Sequence, residues 1–171
     1  MKKIIALLLA LSMLLCFVGC GKEEAEPEAA PAAPAAPVAN GWSFNYNGTE
    51  IAISAEAAPI VEALGEPKSY TEETSCAFEG LDKTYFYGNF YMTTYPQGDK
   101  DYVFSMWFVD DTLTTAEGIY IGAEQAEVEA AYGADAFNGT NAYVVEKGES
   151  KLMILITDGC VSSIQYELIV A

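Results

Sequence analysis

The chain has 171 residues, of which 25 are acidic and eight are basic, and its formal net charge is −17. All eight basic residues are lysines, because the sequence contains neither arginine nor histidine. Nucleic acid and anionic headgroups are therefore not expected as ligands, since both need clustered positive charge. Without histidine, triad chemistry lacks its base and zinc lacks its best ligand.

Residues 1–19 are predicted to be a cleavable secretory signal peptide. Two lysines, Lys2 and Lys3, precede an apolar run over residues 4–18 and the small Gly19. These are the three regions of a signal peptide. The apolar run is shorter than the roughly 20 residues that a spanning helix needs. A permanent transmembrane anchor is therefore the weaker interpretation.

The segment Phe17-Val18-Gly19-Cys20 resembles the lipobox of bacterial lipoproteins, with Phe17 where that pattern usually has leucine. The resemblance implies that the Cys20 thiol carries a fatty-acyl anchor such as palmitate and that Cys20 becomes the first mature residue. The expected location is a cell membrane, lipid-anchored and facing outside the cytoplasm. An ordinary secreted protein that is cleaved nearby is the alternative.

Residues 20–40 are predicted to connect this lipidated cysteine to a folded domain. After Cys20 the segment consists mainly of Glu, Ala and Pro, with a repeated Pro-Ala-Ala-Pro pattern and no aromatic residue. Such a composition cannot bury a core and favours an extended, semi-rigid tether. At about 3 Å per residue, the tether would hold the domain some tens of ångströms from the lipid.

Residues 41–171 contain every Trp and Tyr and have the size of one compact domain. A β-hairpin is predicted over residues 44–53, with its turn at Asn47-Gly48. Two cysteines, Cys76 and Cys160, remain in this part of the chain. In an extracytoplasmic compartment they form a disulfide or remain two small buried thiols, and both alternatives stay open.

An internal repeat is predicted to organise this domain. Residues 51–65 match residues 119–133 at seven of fifteen positions, and residues 103–108 align with 161–166. The two repeats would cover about 51–112 and 119–169.

Each repeat is predicted to begin with a short helix, which starts near Ser54 or Gly122 and stops at Gly65 or Gly133. Strands are predicted at 76–78, 84–87, 90–95, 102–108, 142–146, 151–157 and 161–169. The expected fold class is α+β, in which two tandem helix plus antiparallel-meander repeats form one sheet with the helices on one face.

This pattern resembles a known family. A helix that ends in Leu-Gly-Xaa-Pro or Ala-Tyr-Gly, followed by an antiparallel meander and repeated in tandem, resembles the β-lactamase inhibitor protein (BLIP-like) fold. The half-unit is also similar to the BamE/SmpA envelope lipoproteins, which likewise follow a lipobox. The resemblance implies that a concave sheet face rich in aromatic residues contacts another protein. Inhibition of β-lactamase is not implied, because the contact residues do not match one by one.

The last strand of each repeat separates two predicted faces. Phe104/Ser162, Met106/Ile164 and Phe108/Tyr166 are assigned to the core, while Val103/Val161, Ser105/Ser163 and Trp107/Gln165 are assigned to the open face. The candidate binding face consists of aromatic residues on this side and on neighbouring strands, namely Trp107, Tyr91, Tyr95, Tyr85 and Tyr87. The competing interpretation is that these aromatic residues fill the core.

The sequence thus predicts a membrane-anchored protein-binding module, with inhibition of an unidentified envelope protein as one outcome. The alternative is a structural or assembly accessory of an envelope complex. An enzyme that acts on wall glycan through carboxylates ranks last. No cofactor and no metal are expected, because the pairs Asp99/Asp101 and Asp110/Asp111 lack the loop length and closing Glu of a calcium site.

Overall fold

The computed structural model describes residues 41–170, and the predicted signal peptide, Cys20 and tether lie outside the described residues. This part of the chain forms nine strands, two α-helices and a 3-10 turn at Ala134–Ala136. In chain order the elements are β1 (Ser43–Tyr46), β2 (Thr49–Ala52), α1 (Ala57–Leu64), β3 (Ser69–Thr74), β4 (Leu81–Phe86), β5 (Phe90–Gln97), β6 (Lys100–Phe108), α2 (Gln125–Tyr132), β7 (Ala142–Lys147), β8 (Ser150–Thr157) and β9 (Cys160–Leu168).

Strands dominate the architecture. β1 and β2 form the predicted hairpin, and the other strands form a seven-stranded antiparallel sheet in the order β3-β4-β5-β6-β9-β8-β7. Four strands follow α1 but three follow α2, and each helix has only eight residues. The expected α+β class with two tandem helix plus meander repeats is therefore wrong, and the described chain is mostly β.

The helices begin three residues later than predicted, because a turn precedes each of them, in which Ser54 and Gly122 take positive φ angles of 68° and 103°. Ser54 donates its N–H to the Val103 carbonyl at 2.8 Å, and Val103 donates to Ala55 at 2.9 Å. Gly122 and Ala123 make the matching bonds with Val161, each at 2.8 Å. These backbone bonds hold the turns beside β6 and β9, and only the eight residues after Glu56 and after Glu124 form helices.

Local signals then fix both ends of the helices. Pro59 occupies the third position of α1, within the first turn, where a missing N–H costs no intrahelical bond. At the start of α2, Glu124 and Glu127 form a capping box. Gly65 and Gly133 end the helices with positive φ angles of 77° and 87°, as glycine allows.

Two β-bulges change which side chains face the core. Thr93 pairs with Ser105 but Thr94 pairs with Val103, so Phe104 has no partner across the strand pair. Ser162 is skipped in the same way between β8 and β9. Each bulge reverses the alternation beyond it. The assignment of Val103 and Val161 to the open face is therefore wrong, since both are buried, while Phe104 is half-buried and Ser162 is exposed.

The hydrophobic core lies between one face of the large sheet and the layer formed by the hairpin and both helices. The predicted core residues Met106, Ile164, Phe108 and Tyr166 are all buried there. They belong to one cluster with side chains from β5, β8, the hairpin and the helices, including Phe90, Met92, Leu152, Ile154, Phe44, Ile51, Ile60 and Val128. The opposite face of the sheet is left open by the helices and the hairpin.

Candidate protein-binding face

Three aromatic side chains stand in one row across the open face. Phe86 of β4 is the Cα partner of Tyr91 on β5, and Tyr91 is the partner of Trp107 on β6. The rings of Phe86 and Tyr91 stack at 4.4 Å between centroids, and those of Tyr91 and Trp107 stack at 4.8 Å. All three are partly exposed. We call Phe86, Tyr91 and Trp107 the aromatic row.

Strand alternation places the aromatic row on this face. The neighbours of Tyr91 along β5, Phe90 and Met92, point into the core, and so do the neighbours of Trp107 along β6, Met106 and Phe108. Because successive side chains of a strand point to opposite faces, Tyr91 and Trp107 must point away from the core. The structure therefore places these two residues on the open face of the sheet.

The row continues across the second half of the sheet with side chains that are not aromatic. Trp107 pairs with Gln165 on β9, Gln165 with Met153 on β8, and Met153 with Val144 on β7. All three are half-buried. A mainly apolar band therefore crosses six strands, with Gln165 as its polar member.

A polar row runs parallel to this band, one pleat away. Thr93 and Ser105 share a hydrogen bond of 2.7 Å between their hydroxyl groups. Further along the same row, Lys151 lies 3.4 Å from Glu167, which also accepts a bond of 2.8 Å from Gln165. The open face thus combines an apolar band with polar groups that already have partners, so a protein that covered it would leave few of them unsatisfied.

Tyr95 shares the side of Tyr91 on β5 but is not available as a contact residue. Phe78, from the loop between β3 and β4, packs on it with ring centroids 4.6 Å apart. Tyr102 and Phe104 flank it at 5.9 and 6.1 Å, and only 7% of Tyr95 is exposed. The prediction that Tyr95 belongs to the binding face is wrong, because a loop covers it.

Tyr85 and Tyr87 lie on the opposite side of the sheet. Tyr85 pairs with Met92, a core residue, and burial raises the pKa of its phenol. Tyr87 stacks on Phe90 in the core with centroids 5.1 Å apart. Only 9% of Tyr87 is exposed, and burial raises its pKa to about 12. Their assignment to the binding face is wrong.

Phe86 lies on the open face instead of Tyr85 and Tyr87, and the turn that follows β4 explains why. Tyr87 donates its N–H to Phe90 at 3.0 Å, closing a two-residue turn at Gly88-Asn89. Such a turn pairs the residues that flank it, first 87 with 90 and then Phe86 with Tyr91. The sequence contains this signal, but it identifies Phe86 only when the turn is used to set the register between the strands.

The remaining candidate residues do not assemble into a chemical site. Cys76 and Cys160 are both free and exposed, so neither a disulfide nor a pair of buried thiols describes them. Asp101 accepts a bond of 2.6 Å from Lys83, and this bond raises the lysine pKa. Asp110 accepts bonds from Thr112, which lower its pKa. Within residues 41–170, no three Cys, Asp or Glu residues cluster as metal ligands would.

Comparison of the chain with known protein families, with curated proteins and with solved structures finds no match in any of the three. Across the described part of the chain, both helices are too short to cross a membrane.

Proposed function

We propose that this protein is a membrane-tethered binding module that presents the open face of its sheet to another protein of the cell envelope. One observation carries the proposal, namely the aromatic row of Phe86, Tyr91 and Trp107, which stacks across three strands and is covered by no helix or strand of residues 41–170. The tether and the lipid on Cys20 rest on the sequence pattern of residues 1–40.

The stacked arrangement favours binding over simple surface exposure. Aromatic side chains bury large areas, and each ring in the row is already held by its neighbour. Little side-chain entropy would therefore be lost when a partner covers them. Trp and Tyr are also the residues that most often dominate the affinity of protein interfaces. A hydrophobic band bordered by polar groups has the composition of such an interface.

Site-specific photo-crosslinking in cells tests the proposal. A photoreactive phenylalanine analogue replaces Gln165, which adjoins Trp107 in the band, and the matched control carries it at the exposed Glu62 on α1. We expect a discrete protein adduct from position 165 and none from position 62. Adding Trp107→Ala to the first variant should reduce that adduct about tenfold or more, since central aromatic residues often carry over 1.4 kcal/mol.

The outcomes separate the possible roles. Equal adducts from both positions, or an adduct that is indifferent to Trp107→Ala, would contradict a binding face on the open side. A partner that co-purifies without light would favour an assembly accessory, whereas a partner held only by the crosslink would favour transient binding such as inhibition. A Cys20→Ala variant that still incorporated a fatty-acid label would contradict the lipid anchor but would leave the proposed binding face unaffected.

A further inference from the structure

The two ends of the large sheet differ in how they are covered. At one end, the backbone of β7 is shielded, because Phe137 forms a bridge with Tyr143 and the Trp42 indole donates to the Val145 carbonyl at 2.8 Å. At the other end lies β3, and all six of its residues are exposed. An uncovered edge strand offers a row of backbone donors and acceptors to another strand.

The pairing of β3 with β4 shows which backbone groups are free. The N–H of Ser75 bonds to the Gly80 carbonyl at 3.0 Å, immediately after the pair Thr74 and Leu81. In an antiparallel ladder, hydrogen-bonded and non-hydrogen-bonded pairs alternate. The N–H and C=O groups of the alternate residues Tyr70, Glu72 and Thr74 therefore point outward, away from β4.

The charges beside this edge are acidic, and the Glu72 carboxylate accepts a hydrogen bond of 2.8 Å from the Tyr70 hydroxyl. Glu72 and Glu73 lie on opposite faces of β3, and the Cα partner of Glu73 is Asp82, another carboxylate. Among residues 41–170, no ion pair involves any of the three. Lys83, which is opposite Glu72, is held by Asp101 instead. Like charges directly opposite each other destabilise a strand pair, so a cation from outside would relieve this repulsion.

We propose that the free edge of β3 binds an extended, lysine- or arginine-bearing segment of a partner protein, which adds as a further strand to the sheet. Main-chain bonds to Tyr70, Glu72 and Thr74 would supply affinity, as in other cases of strand addition. The carboxylates would supply selectivity, since a second copy of this chain would bring its own glutamates against Glu72 and Glu73 and be repelled. This edge is separate from the aromatic row and does not depend on it.

Backbone NMR of the chain without residues 1–19, with Cys20→Ser, tests the edge. The probe is a blocked six-residue peptide that alternates lysine and threonine, and its control carries glutamate in place of lysine. We expect the lysine peptide to shift and protect the amides of Tyr70, Glu72 and Thr74, with smaller changes at Ser69, Thr71 and Glu73, which already bond to β4. The control peptide should bind at least tenfold more weakly.

Two variants at position 72 separate the contribution of the backbone N–H to peptide binding from that of the side-chain charge. Glu72→Gln keeps the outward N–H and should weaken binding about threefold, the size of one exposed ion pair. Glu72→Pro removes the N–H as well, which an edge strand tolerates on its free side, and should weaken binding about tenfold. The amide signals of the aromatic row, unchanged in both, would show that the fold is intact.

Amide shifts without this alternation, or equal binding of both peptides, would overturn the edge proposal. So would peptide binding that Glu72→Pro leaves unaltered. Shifts centred on Trp107 instead of β3 would also overturn it while leaving the proposed function of the open face standing.

Discussion

The hydroxyl of Tyr87 is buried against Phe90 without a hydrogen-bond partner, so its removal should stabilise the fold. A buried donor that loses water and gains no partner costs about 1–3 kcal/mol. Tyr87→Phe removes that cost and keeps the ring in its stack. After allowance for the small void left by the oxygen, we expect the free energy of unfolding to rise by about 1 kcal/mol.

The matched control is Tyr143→Phe, because Tyr143 is also a buried core residue but its hydroxyl is fully bonded. It donates to Glu129 at 2.7 Å and accepts from Gln125 at 3.0 Å. Loss of a bond to a charged group costs about 1.5–3 kcal/mol, so this variant should be destabilised. Urea unfolding of both variants at neutral pH would measure the difference. With a slope of about 2 kcal/mol per molar urea, the Tyr87→Phe midpoint should rise by about 0.5 M.

The two variants should shift the urea midpoint in opposite directions. If Tyr87→Phe lowered the urea midpoint as much as Tyr143→Phe does, the Tyr87 hydroxyl must have a bonding partner, and its placement in an apolar part of the core would be wrong. A changed slope in either variant would show that the compactness of the native or unfolded state had changed, so the midpoints could not be compared.

Three further results are expected. Trp107→Ala removes a ring stack and should lower the free energy of unfolding by about 1–2 kcal/mol. Phe108→Ala, on the core face of the same strand, should lower it by about 3–5 kcal/mol. Equal losses in urea unfolding would contradict the assignment of the two faces. The pKa of Tyr87 is raised from 10.0 to about 12, so the unfolded state releases that proton at a lower pH than the folded state does. The free energy of unfolding should therefore fall as the pH rises from 10 toward 12, and it should fall less steeply in Tyr87→Phe. A steeper fall in Tyr87→Phe than in the unaltered protein would refute this. Both Cys76 and Cys160 should react with iodoacetamide in the folded protein without reductant, as mass spectrometry would show; protection of either would contradict their exposure.

Turn chemistry allowed the hairpin to be predicted from the sequence. Asn47 and Gly48 take positive φ angles of 51° and 90°, which Asn-Gly favours in a two-residue turn. Asp158 and Gly159 do the same between β8 and β9, with angles of 52° and 79°. Because the requirement for positive φ is local, the residues at these turns suffice to place the strands on either side of them.

The region from β3 to β4 could not be predicted in this way. β3 reads Ser-Tyr-Thr-Glu-Glu-Thr and has no apolar alternation, because both of its faces are exposed and it is held only by pairing with β4. The apolar residues at 76–78 suggested a strand, which is wrong. They lie in a loop, and Phe78 uses its ring to cover Tyr95.

The bulge at Phe104 decides how far a prediction from alternation can reach. The shift arises where Val103 exchanges backbone bonds with Ser54 and Ala55, residues distant in sequence, so no local pattern in β6 reveals it. Ser105 to Phe108 lie beyond that point and pair with β5 in one unbroken register, and the first three of them also pair with β9. Alternation therefore assigns Trp107 correctly but fails for Val103 on the same strand. The open face inferred from the sequence therefore holds from Ser105 to Phe108, the segment of β6 that contributes Trp107 to the aromatic row.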